Sequence, residues 1–134
     1  MNQMNKLLYT IIFLSTMSYG QTMDEVYDDI MSKDIHHKEY VMAQCMLETG
    51  WLKCNYCCLD KNNVFGWSYD GTHSIQFRSW QESVDHMIKW QTRANIKSNE
   101  SYPDLLKRCW HAPNMDKYIL KVEWCKRELK RRGY

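Results

Sequence analysis

Beyond residue 20, apolar positions recur at three- and four-residue steps over most of the chain, the spacing of one helical face. Thr22-Met23-Asp24-Glu25 matches a capping box and predicts a helix to about residue 32, with Val26 and Ile30 turned inward. A second helix is predicted over residues 38–48, carrying Val41, Met42, Cys45 and Met46, with Gly50 placed to end it. Residues 54–63 are polar and cysteine-rich and read as a loop. Residues 65–69 and 74–78 read as two strands, the second alternating through Ile75 and Phe77, around an Asp70-Gly71 turn. Ser79-Trp80-Gln81-Glu82 is a second capping box, opening a helix through Val84, Met87, Ile88 and Gln91. Pro103 suits the first turn of a short helix ending near Trp110, and Asn114 can cap a last one striped by Met115, Ile119, Val122, Cys125 and Leu129. The fold class expected is mainly α: a helical body with one small β-hairpin lobe.

The first 20 residues follow a different pattern. Lys6 precedes an apolar run from Leu7 to Leu14 broken only by Thr10, and Ser18-Tyr19-Gly20 offers small residues for cleavage. This reads as a secretory signal over 1–20, leaving residues 21–134 as one exported domain, periplasmic or extracellular. The apolar run is too short to span a bilayer, so no stable membrane insertion is expected.

All six cysteines, at 45, 54, 57, 58, 109 and 125, lie in the exported part, where an even count reads as disulfides. Cys57 and Cys58 are too close in sequence to pair with each other, and Cys109 with Cys125 is a candidate pair. A zinc site from Cys54, Cys57, Cys109 and Cys125 is the weaker alternative, since only one Cys-x-x-Cys occurs. Cys45 could equally be a buried free thiol. The net charge of +2 lacks the basic stripe of a nucleic-acid binder. The basic residues that do cluster, at 126, 127, 130, 131 and 132, suit the negative end of the last helix. They could also attract an anionic cell wall.

The chemistry centres on Glu48-Thr49-Gly50-Trp51. A glutamate among Cys45, Leu47 and Trp51 at a helix end is partly desolvated, which favours the neutral, proton-donating form. The segment 42–51 (Met-Ala-Gln-Cys-Met-Leu-Glu-Thr-Gly-Trp), then Asn62-Asn63-Val64-Phe65-Gly66, then 77–84 (Phe-Arg-Ser-Trp-Gln-Glu-Ser-Val), resembles the glucosaminidase domain of glycoside hydrolase family 73, lysozyme-like enzymes that cut peptidoglycan. A fourth, looser match is 111–118 (His-Ala-Pro-Asn-Met-Asp-Lys-Tyr). The resemblance covers roughly residues 34–122 and implies a lysozyme-like fold with its cleft between helical body and hairpin lobe. It implies a secreted endo-β-N-acetylglucosaminidase acting on peptidoglycan glycan strands, a monomer with neither cofactor nor metal.

Cleaving a glycosidic bond needs a proton for the departing oxygen and stabilisation of the anomeric cation. Glu48 is the expected donor. Asp70, on the hairpin where the family often carries a second acid, is the candidate second carboxylate, although Asp-Gly also suits a turn for conformational reasons alone. The substrate's own 2-acetamido group could replace that carboxylate. Trp51, Phe65, Trp67 and Trp80 could stack on sugars, Trp67 first among them, and Asn63 could bind an acetamido group. His111 stands where the family carries a tyrosine, and Tyr118 aligns with a later aromatic of that stretch; both are candidate substrate contacts. Alternatives are a muramidase or lytic transglycosylase working with one acid, a wall-binding module that has lost turnover, and a disulfide-rich inhibitor or toxin.

Overall fold

A computed structural model describes residues 21–54 and 57–134; the expected secretory signal lies outside the described residues. The chain is mainly α-helical, as the periodicity indicates. The helices are α1 (Met23–Ser32), α2 (Lys38–Glu48), α3 (Trp80–Ala94), α4 (Tyr102–Cys109) and α5 (Met115–Arg131), with a 3-10 turn at Cys58–Lys61. Each start except that of α2 carries a side-chain cap. At α1 both halves of the capping box form, Glu25 N donating to Thr22 Oγ1 (3.2 Å) and Thr22 N to Glu25 Oε2 (2.8 Å). Ser101 caps α4 and Asn114 caps α5. At α3 only half the expected box appears: Ser79 Oγ accepts from Glu82 N, but the Glu82 carboxylate reaches past Ser79 to accept from Arg78 N at 2.8 Å.

Helix α2 is the axis of the fold. Six consecutive residues, Val41 to Met46, are buried, so this helix is enclosed on every side rather than along one stripe. It packs chiefly on α5, with α1 on another flank, while α1 also meets α3 and α4 meets α5. Val26, Ile30, Met42, Met46, Val84, Met87, Leu105, Leu106 and Val122 are sealed from water between these helices. Each contributes about 1.5–3 kcal/mol by burial. Buried Gln91 ties α3 to the α1–α2 link, exchanging two hydrogen bonds with the His36 backbone (2.8 and 2.9 Å).

The expected small hairpin lobe is not shown. Among the described residues there is no strand, only an isolated antiparallel bridge between Ser68 and Ser74. Two side chains organise the loop instead. Asp70 Oδ1 accepts from Thr72 N, Thr72 Oγ1 and His73 N, closing the tip as an Asx turn. Asn63, fully buried, donates to the carbonyls of Trp67 (2.8 Å) and Ile75 (3.1 Å) and accepts from Trp67 N (2.9 Å). Phe77 N then donates to Lys61 O rather than across a ladder, so the returning segment leaves its would-be partner.

The cysteine arrangement also differs from the candidate pairing. Cys54 and Cys57 form a disulfide, while Cys45, Cys58, Cys109 and Cys125 are thiols. Cys109 and Cys125 are both free, so the candidate pair does not form. With Cys54 and Cys57 joined to each other, the zinc alternative loses two of its ligands.

Replacing Asn63 by Ala removes three hydrogen bonds, two of them buried, and strands backbone groups of Trp67 and Ile75. We expect a loss of about 2–4 kcal/mol in urea unfolding. A loss below about 1 kcal/mol would show that the loop is held by other means.

Candidate active site

The end of α2 is built by the motif that first marked it. Thr49 is fully buried; its hydroxyl donates to Cys45 O (2.6 Å) and accepts from Leu52 N (3.1 Å). Gly50, Trp51 and Leu52 then run through left-handed conformations (φ 53°, 61° and 60°). Glycine adopts this freely; Trp51 and Leu52 each cost about 1–2 kcal/mol, which Thr49 helps to offset. The turn sends Trp51 toward α5, edge-on to Trp124 with the Arg132 guanidinium 4.0 Å above its ring. Trp51 therefore sits outside the cleft that holds Glu48.

That cleft encloses about 380 Å³. Glu48 lies in it, half-buried, between the loop carrying Gly66, Gly71 and Thr72 and the segment Trp110 to Pro113. Glu48 makes no ion pair among the described residues. Its Oε1 accepts a hydrogen bond from the Tyr118 hydroxyl at 2.7 Å, across from α5. Its Oε2 lies against Gly66: a Cβ added there would stand 2.9 Å from that oxygen. Gly66 has φ +68°, so both the backbone and the carboxylate require glycine. This explains the last position of Asn-Asn-Val-Phe-Gly. Behind the site, the Cys58 thiol faces the Glu48 carbonyl oxygen at 4.0 Å.

Two opposing effects act on Glu48. Burial, the larger, raises its pKa above the ordinary glutamate value; the Tyr118 hydrogen bond stabilises the anion and pulls it back. The carboxyl is thus poised to hold a proton at higher pH than a surface glutamate while keeping a partner for its charged form. Tyr118 is driven well above its ordinary value by burial and by the adjacent Glu48, so it remains a neutral donor.

The other candidate residues separate into groups. His111 is exposed on the cleft wall, and the hydroxyl that meets Glu48 belongs to Tyr118. Asn63 is fully occupied by backbone groups and offers nothing to a ligand. Phe65 and Trp67 are core residues, with Trp67 Nε1 donating to Ser83 O at 3.1 Å. Trp80 opens onto a separate hollow beside α1. Asp70 is half-exposed at the loop tip with both carboxylate oxygens engaged, Oδ1 by the turn and Oδ2 by His73 Nδ1 at 2.6 Å. Those bonds hold its carboxyl far below the usual range, so it stays anionic and bound to its own loop. Of the residues lining the cleft, Glu48 is the single carboxylate.

The aromatic group at the cleft is Trp110, the residue that caps the end of α4. It stacks on Tyr118 (centroids 6.3 Å, 23°) and is braced edge-on by Trp67 (5.2 Å) and Trp90 (5.4 Å). Trp67 buttresses the platform rather than forming it. The available signal was Trp110 directly beside His111 at the start of the fourth motif.

No family model, no curated protein and no solved structure matches this chain.

Gly66→Ala tests this geometry. Strain at a left-handed position costs about 1–3 kcal/mol, and the methyl group must push the Glu48 carboxylate aside. The expected outcome is a folded but less stable protein whose Glu48 carboxyl shifts in ¹³C NMR; an unmoved Glu48 resonance would contradict the contact.

Proposed function

We propose that the protein is an exported peptidoglycan hydrolase of lysozyme-like design, cutting glycan strands as an endo-β-N-acetylglucosaminidase with Glu48 as general acid. One observation carries this reading: a carboxyl whose burial raises its pKa above the ordinary glutamate value, with no ion pair among the described residues, hydrogen-bonded by Tyr118 and opening into a cleft. The volume of that cleft suits a few sugar rings, and Trp110 offers an apolar face for one of them. The ordered motifs that resemble those of glycoside hydrolase family 73 support the same class of substrate.

In this reading Glu48 gives its proton to the glycosidic oxygen as the C1–O bond breaks, and the leaving sugar departs as an alcohol. The positive charge at C1 needs a partner, and no second carboxylate lines the cleft. Asp70, tied to its own turn, is poorly suited to that task. The 2-acetamido oxygen of the substrate can close on C1 instead. The Glu48 carboxylate, held by Tyr118, then takes a proton from the water that reopens the ring. The single acid also favours a second reading, a lytic transglycosylase, in which the C6 hydroxyl of the muramoyl residue attacks C1. Glu48 accepts that hydroxyl's proton, and no water is consumed.

Digestion of purified cell-wall sacculi, with product ends identified by mass spectrometry, separates these routes. The expected products end in reducing N-acetylglucosamine; 1,6-anhydro ends would select the transglycosylase. Glu48→Gln should lower turnover by about 10²–10⁴-fold. Asp70→Asn should stay within a few-fold of the parent. Equal digestion by the parent and Glu48→Gln would remove the enzymatic reading and leave a wall-binding module.

The pH dependence follows from the direction of the Glu48 shift. A general acid works only while protonated, so turnover falls as pH rises through the Glu48 pKa. Because burial raises that pKa, the alkaline limb should lie above the ordinary glutamate range. A limb centred at or below an exposed glutamate's value would contradict the assignment.

A further inference from the structure

The hydrogen bond that Tyr118 gives to Glu48 is the last link of a longer buried chain. Gln44 lies one turn before Glu48 on α2 and is fully enclosed. Its Oε1 accepts from the hydroxyl of Tyr102, itself buried at the start of α4. Its Nε2 donates to the Tyr118 hydroxyl oxygen at 3.1 Å. Tyr118 in turn donates to Glu48 Oε1 at 2.7 Å. Every link has one direction. A carboxamide oxygen can only accept and its nitrogen only donate. Tyr102, enclosed and kept neutral by burial, has a proton to place, and Gln44 Oε1 is the acceptor beside it. That fixes the amide orientation and turns the NH₂ group toward Tyr118. The Tyr118 oxygen is then occupied as an acceptor, and its single proton points at Glu48.

We propose that Gln44 is a positioning residue that sets the polarity of this relay, so that Tyr118 donates permanently to Glu48 Oε1 and the acidic proton is confined to Oε2. Oε2 is the oxygen beside Gly66, on the wall of the cleft. The opposite amide orientation would present a carbonyl to Tyr118. Tyr118 would then donate away from the site, and a protonated Glu48 would direct its proton inward to the Tyr118 oxygen, out of reach of any ligand. Tyr102 prevents that reversal by supplying the donor that only Oε1 can accept. The inference rests on reading Glu48 as a proton donor and extends it from which residue to which oxygen.

The test is a ¹³C NMR titration of the Glu48 side-chain carboxyl in glutamate-labelled protein, assigned by its absence in Glu48→Gln. Tyr118→Phe removes the donor and should raise the Glu48 midpoint by about one pH unit. Gln44→Leu should raise it in the same direction by no more than that. The double variant should titrate like Tyr118→Phe alone, because Gln44 acts through Tyr118. Tyr102→Phe, which deletes one hydroxyl and keeps the packing, should give a smaller upward shift and serves if Gln44→Leu fails to fold. The alkaline limb of wall digestion should move up in step with each midpoint. Unshifted midpoints in folded variants, or additive shifts in the double variant, would overturn the relay even if digestion depends on Glu48. Coupled shifts in a protein that digests no wall would keep the relay and remove the hydrolase reading.

Discussion

A carboxylate against a neutral tyrosine, at the seam of two helices, is the constraint around which this molecule is arranged. Glu48 ends α2 and Tyr118 lies near the start of α5, and these two helices form the main packing contact of the fold. A desolvated acid with no ion-pair partner is costly to bury. It persists here because one oxygen has a hydrogen-bond donor and the other opens toward the cleft beside a residue with no side chain. Move α5 by an ångström and the donor is lost; put a methyl group on Gly66 and the acid is displaced. Core packing and site chemistry are thus the same contact seen from two sides.

The loop opposite Glu48 is held from within. Asn63 stitches residues 63–75 together through three hydrogen bonds, and Asp70 closes the tip. Neither needs a β-ladder. This solution leaves Gly66 free to approach Glu48 and lets Trp67 turn inward to brace Trp110. Residues with the profile of sugar ligands (an Asn, a Phe, a Trp) are the scaffolding on which the cleft wall stands. The wall itself is built largely from backbone, small side chains and the Trp110 indole.

The helices were legible in the sequence because caps and periodicity agree: Thr22, Pro103 and Asn114 mark starts that the structure reproduces. The partial burial of Glu48 was legible from its place at a helix end and its apolar company. The hairpin was not, because alternation at Ile75 and Phe77 reports burial on one side and says nothing about which backbone is paired. Tyr118 was underweighted for a related reason. His111 stands out in the linear sequence, whereas the hydroxyl that reaches Glu48 comes from Tyr118 in the following helix. Gln44 escaped notice as a single polar residue inside an apolar run. In a helix enclosed on every side, such a residue needs buried partners, and they lie 58 and 74 positions away in sequence.

The most direct test of the central claim is the structure of Glu48→Gln bound to a peptidoglycan fragment long enough to span the cleft. The account expects a glycosidic oxygen within about 3 Å of the residue 48 side chain, on the Gly66 side, with a sugar face against Trp110. A fragment that binds elsewhere, or that presents no glycosidic oxygen to residue 48, would contradict it.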